Sequence, residues 1–326
     1  MAVDLMPDGG PALPGDVAGL RTLLADLSIE VMPHAAARID SFADLLPPGT
    51  RVFIPYPPGS RPAEQESLAS RLLNEGMVPV PHLVARSLTD RDALSERLER
   101  LAGLGIRELL LIAGDVPRPH GRFASTVDIL DTGLLDHWGF DRLRFAGHPE
   151  GLPTAAPEAV TQSLAAKQDY ARSRQIRIGL VTQFAFSSVP ILSWLRYVEE
   201  AAPDVDIRIG VPGPSSVRAL LSFALQCGVG NSVRALRRRP WEVTRLARHW
   251  TPAEILGDLA AHIAEVRPAN RPRIHVFSFG GFQRSVQWFD AVRQGRIQRD
   301  GDGNGFTVIS APSDNSVDPA SNMGRH

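Results

Sequence analysis

Along the chain, short apolar runs rich in β-branched residues alternate with longer segments whose apolar positions recur at i, i+3 and i+4. The first pattern suits a buried strand and the second an amphipathic helix. Their alternation is that of βα units around a parallel sheet. The runs predict strands over Ser28–Met32, Arg51–Tyr56, Val78–Leu83, Glu108–Ala113, Arg142–Ala146, Arg177–Phe184, Asp206–Val211 and Arg273–Phe279. Helical patterns fall between them at Ala35–Leu46, Pro62–Glu75, Asp90–Leu104, Ser125–Trp138, Pro157–Arg172, Ser188–Ala201 and Ser215–Cys227. Three more helical stretches, Ser232–Arg238, Pro240–His249 and Pro252–Val266, precede the last strand, and Gln283–Gln294 follows it. Thr251-Pro-Ala-Glu254 has the hydroxyl, Pro and Glu of a capping box. Eight units of this kind predict an α/β protein of the (β/α)8 or TIM-barrel class, with extra helices before the last strand.

Three regions follow: a loose N-terminal segment over 1–17, a barrel over 18–296, and a polar, glycine-rich tail over 297–326 in which Phe306-Thr-Val-Ile309 can pack locally. The tryptophans at 194, 241, 250 and 288 fall in helical patterns and are expected between helices and barrel.

Composition narrows the function classes. The 326 residues are 43% hydrophobic and 22% charged, with a formal net charge of −1. That balance supports a sizeable core and argues against nucleic acid or an anionic membrane as partner, since both need concentrated positive charge. The single cysteine, Cys227, excludes an internal disulfide and a multi-cysteine zinc site. The histidines at 120, 249, 262 and 275 show no ligand spacing, so no metal is expected. The start lacks the basic and apolar regions of a signal peptide, and no apolar stretch reaches the roughly 18 residues of a membrane span. A cytoplasmic protein is expected, with homo-oligomerisation left open. The arginines at 234, 237–239 and 245 read as a solvated helix end.

In such a barrel the chemistry sits where strands run out into βα loops. There the sequence places Glu30, His82, Asp115, His148 and Gln183. Converging on one mouth, they would fix a flat heteroaromatic ligand and move protons. Taken singly, each also reads as a cap, a turn or a satisfied strand end.

The same residues carry a likeness. Leu27-Ser-Ile-Glu-Val-Met-Pro33, Pro81-His82-Leu83, Gly105-Ile-Arg107 before Gly114-Asp115-Val-Pro117, Ala146-Gly-His-Pro-Glu-Gly151, Lys167-x-Asp169, Thr182-Gln183-Phe184 and Val211-Pro-Gly213 followed by Phe223 occur in the order of the methylenetetrahydrofolate reductase family, which the chain resembles from Ser28 to Phe279. The resemblance implies reduction of 5,10-methylenetetrahydrofolate to 5-methyltetrahydrofolate, with FAD on the barrel face and NADH or NADPH as reductant. It implies Glu30 and Asp115 as catalytic residues, with Glu30 the general acid. Gln183, Phe223, Phe279 and Asp115 would bind the reduced folate. His82, Gly114, His148, Lys167 and Tyr56 would hold the cofactor, Lys167 near its phosphates. The sequence departs from the family pattern at Ala113, where an arginine is expected, at His148 for tyrosine, at Pro55 for threonine, at Leu152-Pro-Thr154 for His-Pro-Glu, and at Gly280-Gly281 for Asn-Arg. These departures thin the flavin cradle more than the catalytic set. The alternatives are a flavin-independent reductase of the same substrate and a barrel that binds reduced folate without redox turnover.

Overall fold

A computed structural model describes residues 15–152, 156–216, 219–220, 250–263, 271–279, 281–300 and 304–309. Eight parallel strands close into a barrel, each paired with its sequence neighbours and β8 pairing back to β1. They are β1 (Ser28–Glu30), β2 (Arg51–Ile54), β3 (Val78–Val84), β4 (Glu108–Ile112), β5 (Arg142–Gly147), β6 (Arg177–Thr182), β7 (Asp206–Pro212) and β8 (Arg273–Phe277). All eight predicted strands are present, and the protein is a TIM barrel.

Alternation along each strand divides the apolar residues between two cores. Ile29, Val52, Ile54, Leu109, Leu111, Leu143, Phe145, Ile207, Ile209, Ile274 and Val276 belong to the large cluster between strands and helices. Phe53, Val80, Leu110 and Val181 form a separate cluster inside the barrel. The outward faces of the strands are thus mainly apolar, while the inward faces contribute a small apolar cluster and, on the remaining positions, polar and charged side chains.

The outer layer contains α1 (Gly15–Leu24), α2 (Pro33–Ala36), α3 (Pro62–Asn74), α4 (Arg91–Gly103), α5 (Thr126–Leu130), α6 (Pro157–Arg174), α7 (Ser188–Ala201), α8 (Ala253–Ile263) and α9 (Phe282–Arg293). Starts are set by local chemistry. Pro62 opens α3, the Asp90 carboxylate accepts from the Ala93 N–H at 2.8 Å ahead of α4, and Ser125 with Asp128 forms a reciprocal capping box on α5. Among the described residues, no helix is long and apolar enough to cross a membrane.

Several expectations are corrected. The helix expected over Ala35–Leu46 shrinks to the four residues of α2. Beyond it, Arg71 of α3 donates to the Ala36, Ile39 and Asp40 carbonyls, and Glu75 accepts from the Phe42 N–H, so side chains share that backbone with isolated turn bonds instead of a continuous helical ladder. The helix expected over Ser125–Trp138 breaks at Gly133, whose φ of 68° is left-handed, and resumes as a 3-10 turn over Leu134–His137. Residues 15–17, expected in the loose N-terminal segment, begin α1, where Leu20, Leu23 and Leu24 are fully buried. Trp250 is not helical: it bridges Ser215 through backbone bonds of 3.1 and 2.9 Å. Of the extra helices before the last strand, α8 is described; the other two stretches and Trp241 lie outside the described residues.

The tail does pack locally. β9 (Ile297–Arg299) and β10 (Phe306–Val308) pair antiparallel, and Phe306 stacks on Trp288 at 5.9 Å. Asn304 donates to Asp258 at 2.9 Å, and its carbonyl would lie 1.8 Å from a Cβ built on Gly257. Gly257→Ala should therefore lower stability by about 1–3 kcal/mol through overpacking. Gly103→Ala, with nothing within 4 Å of its new carbon, should be neutral or stabilising by up to about 1 kcal/mol. Urea denaturation of both variants checks the contrast; equal midpoints would remove the hairpin's docking role.

Candidate functional site

The inner face of the barrel is divided by charge. At the N-terminal ends of the strands lie Arg51, Glu108, Arg142, Arg144, Asp206 and Arg208, joined with Asp26 in a network of ion pairs. Arg144 and Arg208 are fully buried. Gly179, next to Arg144 across β6, makes this geometry possible, because a Cβ there would sit 2.8 Å from the Arg144 Nη1. Above the small apolar cluster, toward the C-terminal ends, the ionisable groups are held neutral instead.

Glu30 ends β1 with its side chain 16% exposed, open at one edge and otherwise desolvated. Burial lifts its carboxyl to about 8, so it is a neutral acid at pH 7. Its Oε2 lies 3.8 Å from Nε2 of His275, and Nδ1 of the same ring is 3.0 Å from the Ser28 hydroxyl. Ser28 and His275 are register partners, which brings the three together on two adjacent strands. Burial first, then the positive charge of Arg208, the proximity of His82 and the charge of Arg144, hold His275 well below its ordinary value. The ring is wedged edge-on between Phe53 at 4.5 Å and Phe277 at 5.0 Å. His82 is also near Phe53, at 6.3 Å, and burial pushes it down to about 3; its Nε2 is buried with no protein partner.

An aromatic wall continues from Phe277. Phe279 stacks on it at 6.0 Å, and Phe184 packs edge-on to both at 5.3 and 5.1 Å. Phe279 has φ of 44°, a conformation that bulky side chains rarely adopt and that concentrates at functional sites.

A second group sits at the end of β5. The Lys167 ammonium, reaching from α6, lies 4.8 Å from the centre of the Phe145 ring, and burial lowers it to about 8. Burial and the neighbouring Lys167 charge push His148 down to about 4. Among the described residues, no carboxylate is within ion-pair distance of this amine.

The remaining expected residues are placed as follows. Asp115 is exposed on the loop after β4. That loop turns at Gly114, with φ of 95°, where a Cβ would meet Val84 at 2.5 Å, and Arg86 clamps it by donating to the carbonyls of Gly114, Val116 and Ala124. Gln183 follows β6, its N–H donating to the Gly147 carbonyl at 2.8 Å. Tyr56 follows β2 with the Arg97 guanidinium over its ring at 5.6 Å. Phe223 lies outside the described residues. Glu30, His82 and Phe279 thus share one aromatic-lined interior, Lys167 and His148 form a separate cluster, and Asp115 and Gln183 belong to the same rim from β4 and β6. Among the described residues, no group of three His, Cys, Asp or Glu side chains could hold a metal ion.

One residue of the interior was not singled out from the sequence as a site residue. His275 showed no ligand spacing; the signal was its inward parity with Phe277 on a strand adjoining Ser28 and Glu30. Lys167, which was singled out, is also the chain's single lysine beside 34 arginines.

No protein-family model matches the chain. Among solved structures it is similar to N-acetylneuraminate lyase from Fusobacterium nucleatum, at 12% identity and TM-score 0.40 over 86% of this chain and 70% of that one. It is also similar to a xylose isomerase domain protein from Planctomyces limnophilus, at 12% identity and TM-score 0.39 over 84% and 98%. Likeness at this level says nothing about chemistry.

A neutral Glu30 makes a direct prediction. In protein labelled with 13C at glutamate carboxyls, the Glu30 resonance should titrate with a midpoint near 8, and His275→Leu should move it further up by removing a polar neighbour of the carboxylate. A midpoint in the ordinary glutamate range would show that the barrel mouth is wet and that Glu30 is ionised at pH 7.

Proposed function

We propose that the protein is an oxidoreductase that reduces 5,10-methylenetetrahydrofolate to 5-methyltetrahydrofolate with NADH or NADPH. The observation that carries this reading is Glu30, a desolvated carboxylic acid held neutral to about pH 8 at the mouth of a barrel. Opening the methylene bridge to the iminium on the pterin N5 requires a proton on the leaving N10, the aniline nitrogen outside the pterin ring, and an acid that retains its proton at neutral pH can supply it. His275 faces the Glu30 carboxyl and is anchored by Ser28, an arrangement suited to orienting the acid. Phe279, half-buried and packed against Phe184 beneath it, offers aromatic surface to a pterin. Gln183 and Asp115, at the ends of β6 and β4 on either side of β5, would bind its polar edge.

The β5 cluster suits the diphosphate of a dinucleotide. Among the described residues Lys167 has no carboxylate partner, and His148 is neutral beside it. His82 adds a buried Nε2 in need of a hydrogen-bond partner, and the backbone at Gly114 allows close approach. These residues would hold FAD, which when bound supplies a two-electron carrier between NAD(P)H and the folate. A second reading, direct transfer from NAD(P)H without FAD, is favoured by Tyr56. Its ring is covered by Arg97 and is not free to stack on a flavin.

Purified protein mixed with NAD(P)H and methylenetetrahydrofolate should oxidise the nicotinamide only when the folate is present. A flavin absorbance spectrum would select the first reading and its absence the second. Folate binding without oxidation would sink both and leave a non-redox folate-binding barrel. Glu30→Gln should lower folate reduction roughly a hundred- to ten-thousand-fold, the usual contribution of a positioned acid. In the active enzyme, turnover should fall as pH rises through about 8, because the active form of Glu30 is the protonated one and is lost above that value. Lys167→Met should weaken dinucleotide binding about ten- to a hundred-fold, corresponding to one charge-assisted hydrogen bond of ~1.5–3 kcal/mol.

A further inference from the structure

The N-terminal floor of the barrel has an unbalanced charge and two unused donors. Among the described residues its ion-pair network joins four guanidiniums, of Arg51, Arg142, Arg144 and Arg208, to three carboxylates, of Asp26, Glu108 and Asp206. The side chains of Arg144 and Arg208 have no exposed surface. Arg144 donates through Nε to Glu108 and through Nη1 to Asp206 at 2.8 Å, leaving Nη2 buried without a partner. Arg208 donates through Nη1 to the Asp26 carbonyl at 2.7 Å and through Nη2 to the Asp26 carboxylate at 2.5 Å, leaving Nε buried without a partner.

From these two orphaned donors and the surplus guanidinium, we infer that the barrel floor binds a small inorganic anion, of halide size, between Arg144 and Arg208. The chemistry favours an anion over water. A water molecule would satisfy the N–H groups but leave the repulsion between two fully buried guanidiniums uncompensated, whereas a monovalent anion meets both demands. The two arginines are close neighbours: after burial, repulsion from Arg144 is the largest influence lowering Arg208, to about 10. Two like charges held side by side, each with one inward donor unused, form the recognition element. The missing side chain at Gly179 is what allows Arg144 to cross to Asp206 in this arrangement. The ligand is a structural counter-ion and not a substrate, since it lies at the opposite end of the barrel from the βα loops.

The test is anion-dependent stability of the full chain. Thermal unfolding is followed in sodium gluconate, an anion too bulky to enter, while chloride or bromide replaces it at constant ionic strength. A saturable rise in Tm is expected for the wild type. Arg208→Lys keeps the cation but has no Nε, and should lose that saturable response. Crystals grown with bromide should show an anomalous peak within hydrogen-bond distance of the Arg144 Nη2 and the Arg208 Nε. If Arg208→Lys does not fold, 35Cl line broadening on the wild type, competed by bromide, replaces it as the measure of specific binding. A Tm that does not depend on the identity of the anion overturns the inference, as does water at that position in bromide-grown crystals. None of these readouts involves folate, nicotinamide or flavin, so the outcome is independent of the catalytic reading.

Discussion

Desolvation inside a closed cylinder is the constraint on which the other features depend. Once β8 pairs with β1, every inward position on every strand shares one small interior, and an ionic group placed there must be paired or discharged. The two ends of this barrel use the two different solutions. At the floor, Arg51, Arg142, Arg144 and Arg208 stay charged because Asp26, Glu108 and Asp206 stand against them. At the mouth, Glu30, His82 and His275 carry no net charge near neutrality, because burial disfavours the ionised form of each. The apolar cluster of Phe53, Val80, Leu110 and Val181 separates the two regimes.

The separation is incomplete, and β8 is where it leaks. His275 is held deprotonated partly by the charges of Arg208 and Arg144 beneath it. The floor therefore contributes to keeping the ring neutral, and a neutral ring beside a neutral carboxyl is a different partner from an imidazolium, which would draw the proton off Glu30. A network that looks purely structural thus adds to what burial already does to the group next to Glu30.

Much of the fold was legible in the sequence because its strongest signal, short apolar runs alternating with amphipathic segments, is local and repeated. All eight strands occur where the pattern places them. What failed was also physical. Ala35–Leu46 carries a helical pattern, yet Arg71 and Glu75 from α3 take over its backbone partners and leave only one turn. At Gly133 a single left-handed residue stops a helix that periodicity alone would continue. The start of α1 was masked by a Pro- and Gly-rich leader whose composition outweighed three leucines. Glu30 and His82 were found as strand-end polar residues, and the barrel does bring them into one interior. His275 escaped because a lone histidine has no spacing to betray it; its meaning comes from register with Ser28, a property of pairing. The charged floor was written plainly, as Arg-x-Arg in β5 and Asp-x-Arg in β7, but strand-start charges read as solvent-facing until closure turns them inward.

The choice of cation sharpens the contrast between the two ends. With 34 arginines and one lysine, this chain uses guanidinium wherever a fixed positive charge is wanted, as in the floor, where planar groups meet carboxylates in several directions at once. The rim cluster has the one amine. Burial against Phe145 brings Lys167 to about 8, close to losing its charge at neutral pH. Among the described residues, the amine sits beside a neutral His148 with no carboxylate to hold the proton. An arginine at 167 would remain charged and would carry the full cost of burial. The lysine lowers that cost because its proton can leave, so the one amine occupies a buried place that a guanidinium could occupy only as an unpaired charge.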